Sequence, residues 1–262
     1  MQAGVSEAPM ISRRLTLFAF ALVLCLAGSV QVPAHSSVSG APPAGGAPET
    51  HLLGGAHRAQ AELTWSGYVS RKQPAGTYTV VSAKWTQPSV TCKPGENSQS
   101  SFWVGLAGDN LVQTGIDANC ENGVPRYSAW WEINPQAGPD YYSSPVRAGD
   151  RFVASVTANT DGFYTMTIRN ISRNWLAKKK LRSNSPSGTQ AAVIVEQQGD
   201  NYGPLARFGA VTFTGASANQ DKFSLTKPYA IDMTTENGEQ LRARTSGLDK
   251  SNESFTVTWL RH

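Results

Sequence analysis

Histidine is almost absent from the places where a catalyst would need it. The 262 residues hold four, His35, His51, His57 and His262, all towards the ends of the chain. That leaves no candidate for a histidine base or a His-rich metal site inside a fold. There is no G-x-S-x-G elbow and no H-E-x-x-H pair, so neither of those nucleophile or zinc chemistries is supported. No Asp-Thr-Gly or Asp-Ser-Gly pair occurs, so a dyad of two aspartates is not indicated. An enzyme built from this chain must work with carboxylates, amides, hydroxyls and aromatics. Charge is also scarce, at 16% of residues, and nearly balanced, with 23 Lys+Arg against 19 Asp+Glu. The longest basic run is Lys178–Lys180, too short to imply nucleic acid.

What the chain has in quantity is Gly, Ser, Thr and tryptophan, with turn residues at short intervals. No segment sustains a helical period. Period-2 stretches occur instead at Trp65–Val69, Tyr78–Trp85, Arg151–Asn159, Phe163–Asn170, Ala191–Gln198, Ala206–Gly215, Gln240–Ser246 and Ser254–Arg261. Asp161-Gly162 and Asn237-Gly238 are turn signals, the first between two strands. A dozen short strands with regular turns predict an all-β fold, a β-sandwich of two packed antiparallel sheets of jelly-roll or concanavalin-like type.

The N-terminus reads as an export signal over residues 1–34. Arg13 and Arg14 precede an apolar run from Leu15 to Gly28, and Val32-Pro33-Ala34 offers small residues for cleavage. The apolar run is short for a membrane span. Ser12-Arg13-Arg14 hints at twin-arginine export, although Thr16 stands where a bulky apolar residue is usual. Residues 35–61 are rich in Pro, Gly, Ala and Ser and cannot bury enough apolar surface to order themselves. They read as a linker or pro-segment before a folded domain at 62–262. Removing the signal removes Cys25 and leaves Cys92 and Cys120. In an exported, secreted chain these two are expected to pair, contributing roughly 3 kcal/mol by loop closure. Asn170-Ile171-Ser172 and Asn252-Glu253-Ser254 fit the glycosylation pattern.

The stretch Ser101–Pro135, SFWVGLAGDNLVQTGIDANCENGVPRYSAWWEINP, is the densest in signals. Alternation puts Trp103, Gly105 and Ala107 on one face of a strand and Phe102, Val104 and Leu106 on the other. It puts Leu111, Gln113, Gly115 and Asp117 together on a second strand, and Trp130, Glu132 and Asn134 on a third. Polar groups on faces fit for burial are costly unless partnered, which marks a candidate site.

FWVGLAG, LVQTGID and YSAWWEINP, followed in order by AAVIVEQ at 191–197 and FGAVTFTGASA at 208–218, resemble the glutamic peptidases (eqolisins, peptidase family G1). The likeness is to a secreted homologue of bacterial type. The resemblance implies an acid-acting endopeptidase on a β-sandwich, with Gln113 and Glu196 as the catalytic pair and no metal or other cofactor. It assigns Glu196 as general base and then acid, and Gln113 as oxyanion stabiliser and water positioner. Trp103 resembles the family's substrate-cleft tryptophan, and Asp117 and Glu132 its supporting acids. Two positions depart from the family pattern. Ala107 and Ala192 stand where relatives often carry Asp and Glu, which bears on pH profile and substrate preference.

The residues support those roles independently. Glu196 ends the apolar run Ala191–Val195, so desolvation should raise its pKa. Such a group can take a proton from water and return it to a leaving amine. The amide of Gln113 does not titrate and keeps donating in acid. A carbohydrate-active reading stays open on residues alone. Glu132 or Asp117 with Glu196 would make a glycosidase carboxylate pair, and exposed aromatics would suit a carbohydrate-binding module. As a peptidase the chain is expected to take protein or peptide substrates. It is expected to act as a monomer, to bind no nucleic acid, and to keep no stable membrane association once its signal is removed.

Overall fold

The computed structural model describes residues 59–198 and 203–262. The export signal at 1–34, with Cys25, and residues 35–58 of the linker, with His35, His51 and His57 between them, lie outside the described residues. The regular structure of the described part is almost wholly strand. In order these are β1 (Ala59–Glu62), β2 (Trp65–Val69), β3 (Val80–Thr86), β4 (Ser101–Gly108), β5 (Leu111–Glu121), β6 (Val124–Asn134), β7 (Ala137–Tyr141) and β8 (Arg151–Ala158). Then follow β9 (Phe163–Asn170), β10 (Trp175–Arg182), β11 (Ser187–Glu196), β12 (Ala210–Ala218), β13 (Asp221–Lys222), β14 (Tyr229–Thr234), β15 (Leu241–Thr245) and β16 (Phe255–Trp259). Two short 3-10 turns, Thr160–Gly162 and Phe223–Thr226, are the helical content of the described residues.

The strands form one hydrogen-bonded path, β10-β9-β8-β3-β12-β16-β15-β14-β2-β11-β4-β5-β6-β7. Pairings are antiparallel except that β1 lies parallel to β14. The path is continuous because β12 serves two neighbours. Ala210–Phe213 pair with β16, while Thr214, Ser217 and Ala218 pair with β3. The register shifts between Thr214 and Ser217, where Gly215 takes a φ of 56°. A left-handed residue at a register shift bends the strand, and glycine adopts it at least cost.

Alternation along each strand divides the buried side chains. Phe102, Val104 and Leu106 of β4, Val112 and Ile116 of β5, Trp131 and Ile133 of β6, and Val193 and Val195 of β11 enter the main core. Phe152, Ala154 and Val156 of β8 and Met166 and Ile168 of β9 enter the same core. The opposite faces of β2, β4, β6, β11 and β14 supply a second, smaller cluster: Val69, Trp103, Trp130, Ala192, Ile194 and Ile231. Burial of aromatics on this scale is the main stabilising term available to so sparsely charged a chain.

Among the described residues the ladder begins at Ala59, with β1 against β14. The turn at Asp161-Gly162 forms with both residues at positive φ, 61° and 75°, the conformation that a two-residue hairpin turn demands. Cys92 and Cys120 are bridged, with Cα atoms 5.6 Å apart. Cys120 lies within β5, so the bridge holds the segment before β4 directly to that strand. The two glycosylation patterns differ in access. Asn170 is fully buried and donates to Asp150, so only Asn252 is exposed to modification.

Candidate active site

The registers of β2, β11, β4, β5 and β6 arrange one face as three cross-strand rows. The first row is Val69, Ala192, Gly105, Gln113 and Glu132. The second is Gly67, Ile194, Trp103, Gly115 and Trp130, and the third is Trp65, Glu196, Ser101, Asp117 and Ser128. Directly opposed residues share a face. Gln113, Trp103, Asp117, Glu132 and Glu196 therefore all belong to this face, the one turned away from the main core. Gln113 and Glu196 stand two strands and two rows apart on it.

Gly115 makes the middle row possible. A Cβ there would sit 2.6 Å from the Trp103 Cβ, 3.0 Å from the Trp130 ring and 2.5 Å from the Phe102 carbonyl oxygen. The glycine lets two indoles flank one strand. Trp103 and Trp130 are both buried. Trp103 therefore offers no open ring to a substrate. Its indole Nε1 instead donates to Glu196 Oε2 at 2.8 Å. Trp65 Nε1 donates to the other oxygen, Oε1, at 3.0 Å.

Burial raises the Glu196 pKa to about 7, opposed by the two indole hydrogen bonds and reinforced by the charges of Glu132 and Asp117. The protein surrounds this carboxyl, while the residue as a whole keeps some open surface. Asp117 is 2% exposed. Burial raises its pKa to about 7 against the pull of Ser101, Tyr141, Gln198 and Trp130. Gln198 Nε2 donates to its Oδ1 at 3.0 Å and the Tyr141 hydroxyl to its Oδ2 at 3.4 Å. Trp130 Nε1 donates to Ser101 Oγ at 3.0 Å. Gln113 Nε2 donates to Glu132 Oε2 at 2.6 Å. Burial raises the Glu132 pKa, and this bond lowers it. Gln113 Oε1 is buried and meets no donor among the described residues.

The face thus holds three carboxyl groups inclined to keep protons, two indole donors on one of them, and an amide fixed by another. The profile of the Peptidase A4 family matches residues 63–259. The chain belongs to the Peptidase A4 family. It is 28% identical to aspergillopepsin-2 of Aspergillus niger over 210 residues, 70% of this chain and 73% of that protein. It is 30% identical to scytalidopepsin B of Scytalidium lignicola over 183 residues, 63% of this chain and 67% of that one. Both are fungal proteins and do not speak to the bacterial type.

Among solved structures it is similar to scytalido-glutamic peptidase bound to a peptide-based transition-state analogue. The TM-score there is 0.62 at 25% identity, covering 76% of this chain and 99% of that one. Aspergilloglutamic peptidase from Aspergillus niger follows at 0.52 and 27%, covering 62% and 99%. As a Peptidase A4 member this protein is a glutamic peptidase, an acid-acting endopeptidase, and the carbohydrate-active readings fall away.

Sequence reasoning missed four residues that the structure adds to this candidate site: Trp65, Ser101, Tyr141 and Gln198. Trp65 lies at the start of an expected strand, but only the β2–β11 register sets it beside Glu196. Tyr141 comes from β7, a strand with no clear alternation. Nothing local in sequence ties it to Asp117.

Proposed function

We propose that Gln113 and Glu196 are the catalytic pair of this peptidase. The observation that carries the reading is the Glu196 carboxyl at the end of an apolar strand, held oxygen by oxygen by Trp65 and Trp103. Two indole donors fix its orientation and favour its ionised form against burial. Glu196 takes a proton from water as the water oxygen bonds to the peptide carbon. It passes that proton to the amine nitrogen as the C–N bond breaks. Gln113 Nε2 has two N–H groups. Glu132 accepts one, and the other is free to meet the oxyanion of the tetrahedral intermediate. Asp117 and Glu132 act as supporting acids.

The raised pKa of Glu196 has to be reconciled with work in acid. Part of the rise comes from charge on Glu132 and Asp117. Burial raises those two pKa values as well, so both groups take up protons as the medium acidifies. Their charge then vanishes and Glu196 gives up its proton more easily. The indole donors remain. Glu196 stays mostly protonated in acid, and its ionised fraction, eased by the loss of those two charges, acts as the base.

In the same reading residues 1–34 are an export signal, 35–61 a linker or pro-segment, and 62–262 the secreted peptidase domain, working as a monomer. The disulfide supports an oxidising destination. The ladder is read as folding back into two packed layers, because β8 and β9 share one core with β4 and β5 while lying far from them along the path. Relatives are seen with peptides, one with the tripeptide Ala-Ile-His, and protein or peptide is the proposed substrate here. Initial rates on denatured protein in acid, for Glu196→Gln and Gln113→Ala, test the pair. A folded variant of either kind with a near-wild-type rate overturns it.

A further inference from the structure

The four strands β10, β9, β8 and β3 carry no Asp or Glu at any position. They carry seven Lys and Arg residues. Lys179 turns inward and lies over the Trp131 ring at 4.3 Å. The other six, Lys84, Arg151, Arg169, Lys178, Lys180 and Arg182, are exposed. Registers place them on one face. Lys84 opposes Val153, which opposes Arg169, which opposes Leu176. Lys178 and Lys180 follow Leu176 at alternate positions, and Arg151 lies two residues before Val153. None of the six is in an ion pair among the described residues. Lysines on an edge strand are a common guard against edge-to-edge pairing. That accounts for Lys178 and Lys180 on β10, but not for Arg169, Arg151 and Lys84 on the interior strands.

The face also has an apolar component. Leu176 is 59% exposed within it, and Ile171, at its border, is 42% exposed. Phe163 lies in the same plane, with Lys180 Nζ 5.1 Å from its ring centre. A hydrophilic polyanion would have no use for Leu176, whereas a bilayer surface takes cations at its headgroups and apolar side chains just beneath.

We propose that this sheet face is a reversible docking surface for an anionic lipid bilayer, recognised by phosphodiester headgroups. A phosphodiester stays charged in the acid where this peptidase works, whereas a carboxylate partner would be neutralised. The residues alternating with this face enter the same core as those alternating with the catalytic face. Docking through one therefore leaves the other uncovered. The contact is electrostatic and shallow, distinct from a membrane span.

The test is co-sedimentation of the intact protein with vesicles of equal phosphatidylglycerol and phosphatidylcholine, against vesicles of phosphatidylcholine alone. The expected result is binding to the first only, released in about 1 M salt, where the Debye length is near 3 Å. Lys178→Glu with Lys180→Glu should lower partitioning by at least about tenfold. Leu176→Ser should lower it by a smaller factor. Both should leave hydrolysis of a soluble peptide unchanged, and Lys250→Glu, on the loop between β15 and β16, should change neither. Equal binding to both vesicles, no binding to either, or full binding by the folded double variant overturns the proposal. So does binding to soluble heparin that outcompetes the vesicles and ignores Leu176→Ser, which would assign the face to a polyanion.

Discussion

Trp65 and Trp103 stand edge to face across Glu196, ring centres 5.1 Å apart and planes at 77°, and each gives its indole proton to a different oxygen of that carboxylate. They come from β2 and β4, the two neighbours of β11. The carboxylate is thus clamped from both sides by the strands that hold its own. Trp65→Phe keeps an aromatic ring in place and removes one donor. Both indole bonds lower the Glu196 pKa, so their loss raises it. A hydrogen bond to a charged group contributes about 1.5–3 kcal/mol. The acid limb of kcat/KM against pH should therefore move up by roughly one to two units. An unmoved limb in a folded variant would show that the clamp does not govern Glu196.

Most of this arrangement was legible one strand at a time. Period-2 spacing separated Trp103 from Phe102 and Val104, and Glu196 announced itself by ending an apolar run. Cross-strand register was not legible. It decides that Gln113 meets Glu132 and that Trp65, well over a hundred residues away in sequence, meets Glu196. Of the five strands that escaped, β1, β7, β10, β13 and β14, two have patterns broken by charge. In β10 the inward Lys179 is accommodated by the Trp131 face, and in β14 Asp232 sits among buried apolar residues. The single path through β12 was equally hidden, since one strand serving two neighbours leaves only a glycine as its mark.

The stability of the fold should fall as pH rises from about 4 to 7. Asp117 has its pKa raised from 3.8 to about 7, so across that window the folded state holds a proton the unfolded chain has lost. Protons bound in excess by the native state make stability decline with pH. A shift of this size on so buried a group corresponds to at most about 4 kcal/mol. Glu196 acts in the same direction. Asp150, held low by Asn170 and Arg173 despite burial, titrates below this window and has the opposite sign. The melting temperature should drop between pH 4 and 7, and Asp117→Asn should flatten the drop. A Tm that climbs across the window would contradict the buried protonated aspartate.

Breaking the disulfide should cost stability and spare the chemistry. Cys92 and Cys120 close a loop with a sequence separation of 28, for which chain entropy gives roughly 3 kcal/mol. Cys92→Ser with Cys120→Ser should lower the denaturant midpoint accordingly. The rate well below the new melting temperature should remain, because neither sulfur reaches the catalytic face. Unchanged stability would mean that the packing of β5 alone fixes this segment.

The sharpest test of the catalytic pair is Gln113→Glu. Gln113→Ala removes the donor, for a loss of roughly 10²–10³, and Glu196→Gln removes the proton carrier, for roughly 10²–10⁴. Either loss could also follow from a disturbed site. Gln113→Glu keeps length and shape but replaces the donating nitrogen with an oxygen facing Glu132, whose carboxyl now accepts from Gln113 at 2.6 Å. Two carboxyl groups at that separation cannot both ionise cheaply, so they share a proton. In acid the protonated pair restores one hydrogen bond between them, and the fold should hold. The N–H proposed for the oxyanion is gone at every pH. As pH rises and the pair ionises, the new charge repels the oxyanion directly. The variant should thus lose at least as much rate as Gln113→Ala, and the deficit should widen with pH while Glu196 is intact. Initial rates on denatured protein from strong to weak acid, with each variant's melt as the folding check, measure this. A Gln113→Glu variant that is folded and faster than Gln113→Ala throughout would remove Gln113 from the mechanism and leave Glu196 in need of another partner.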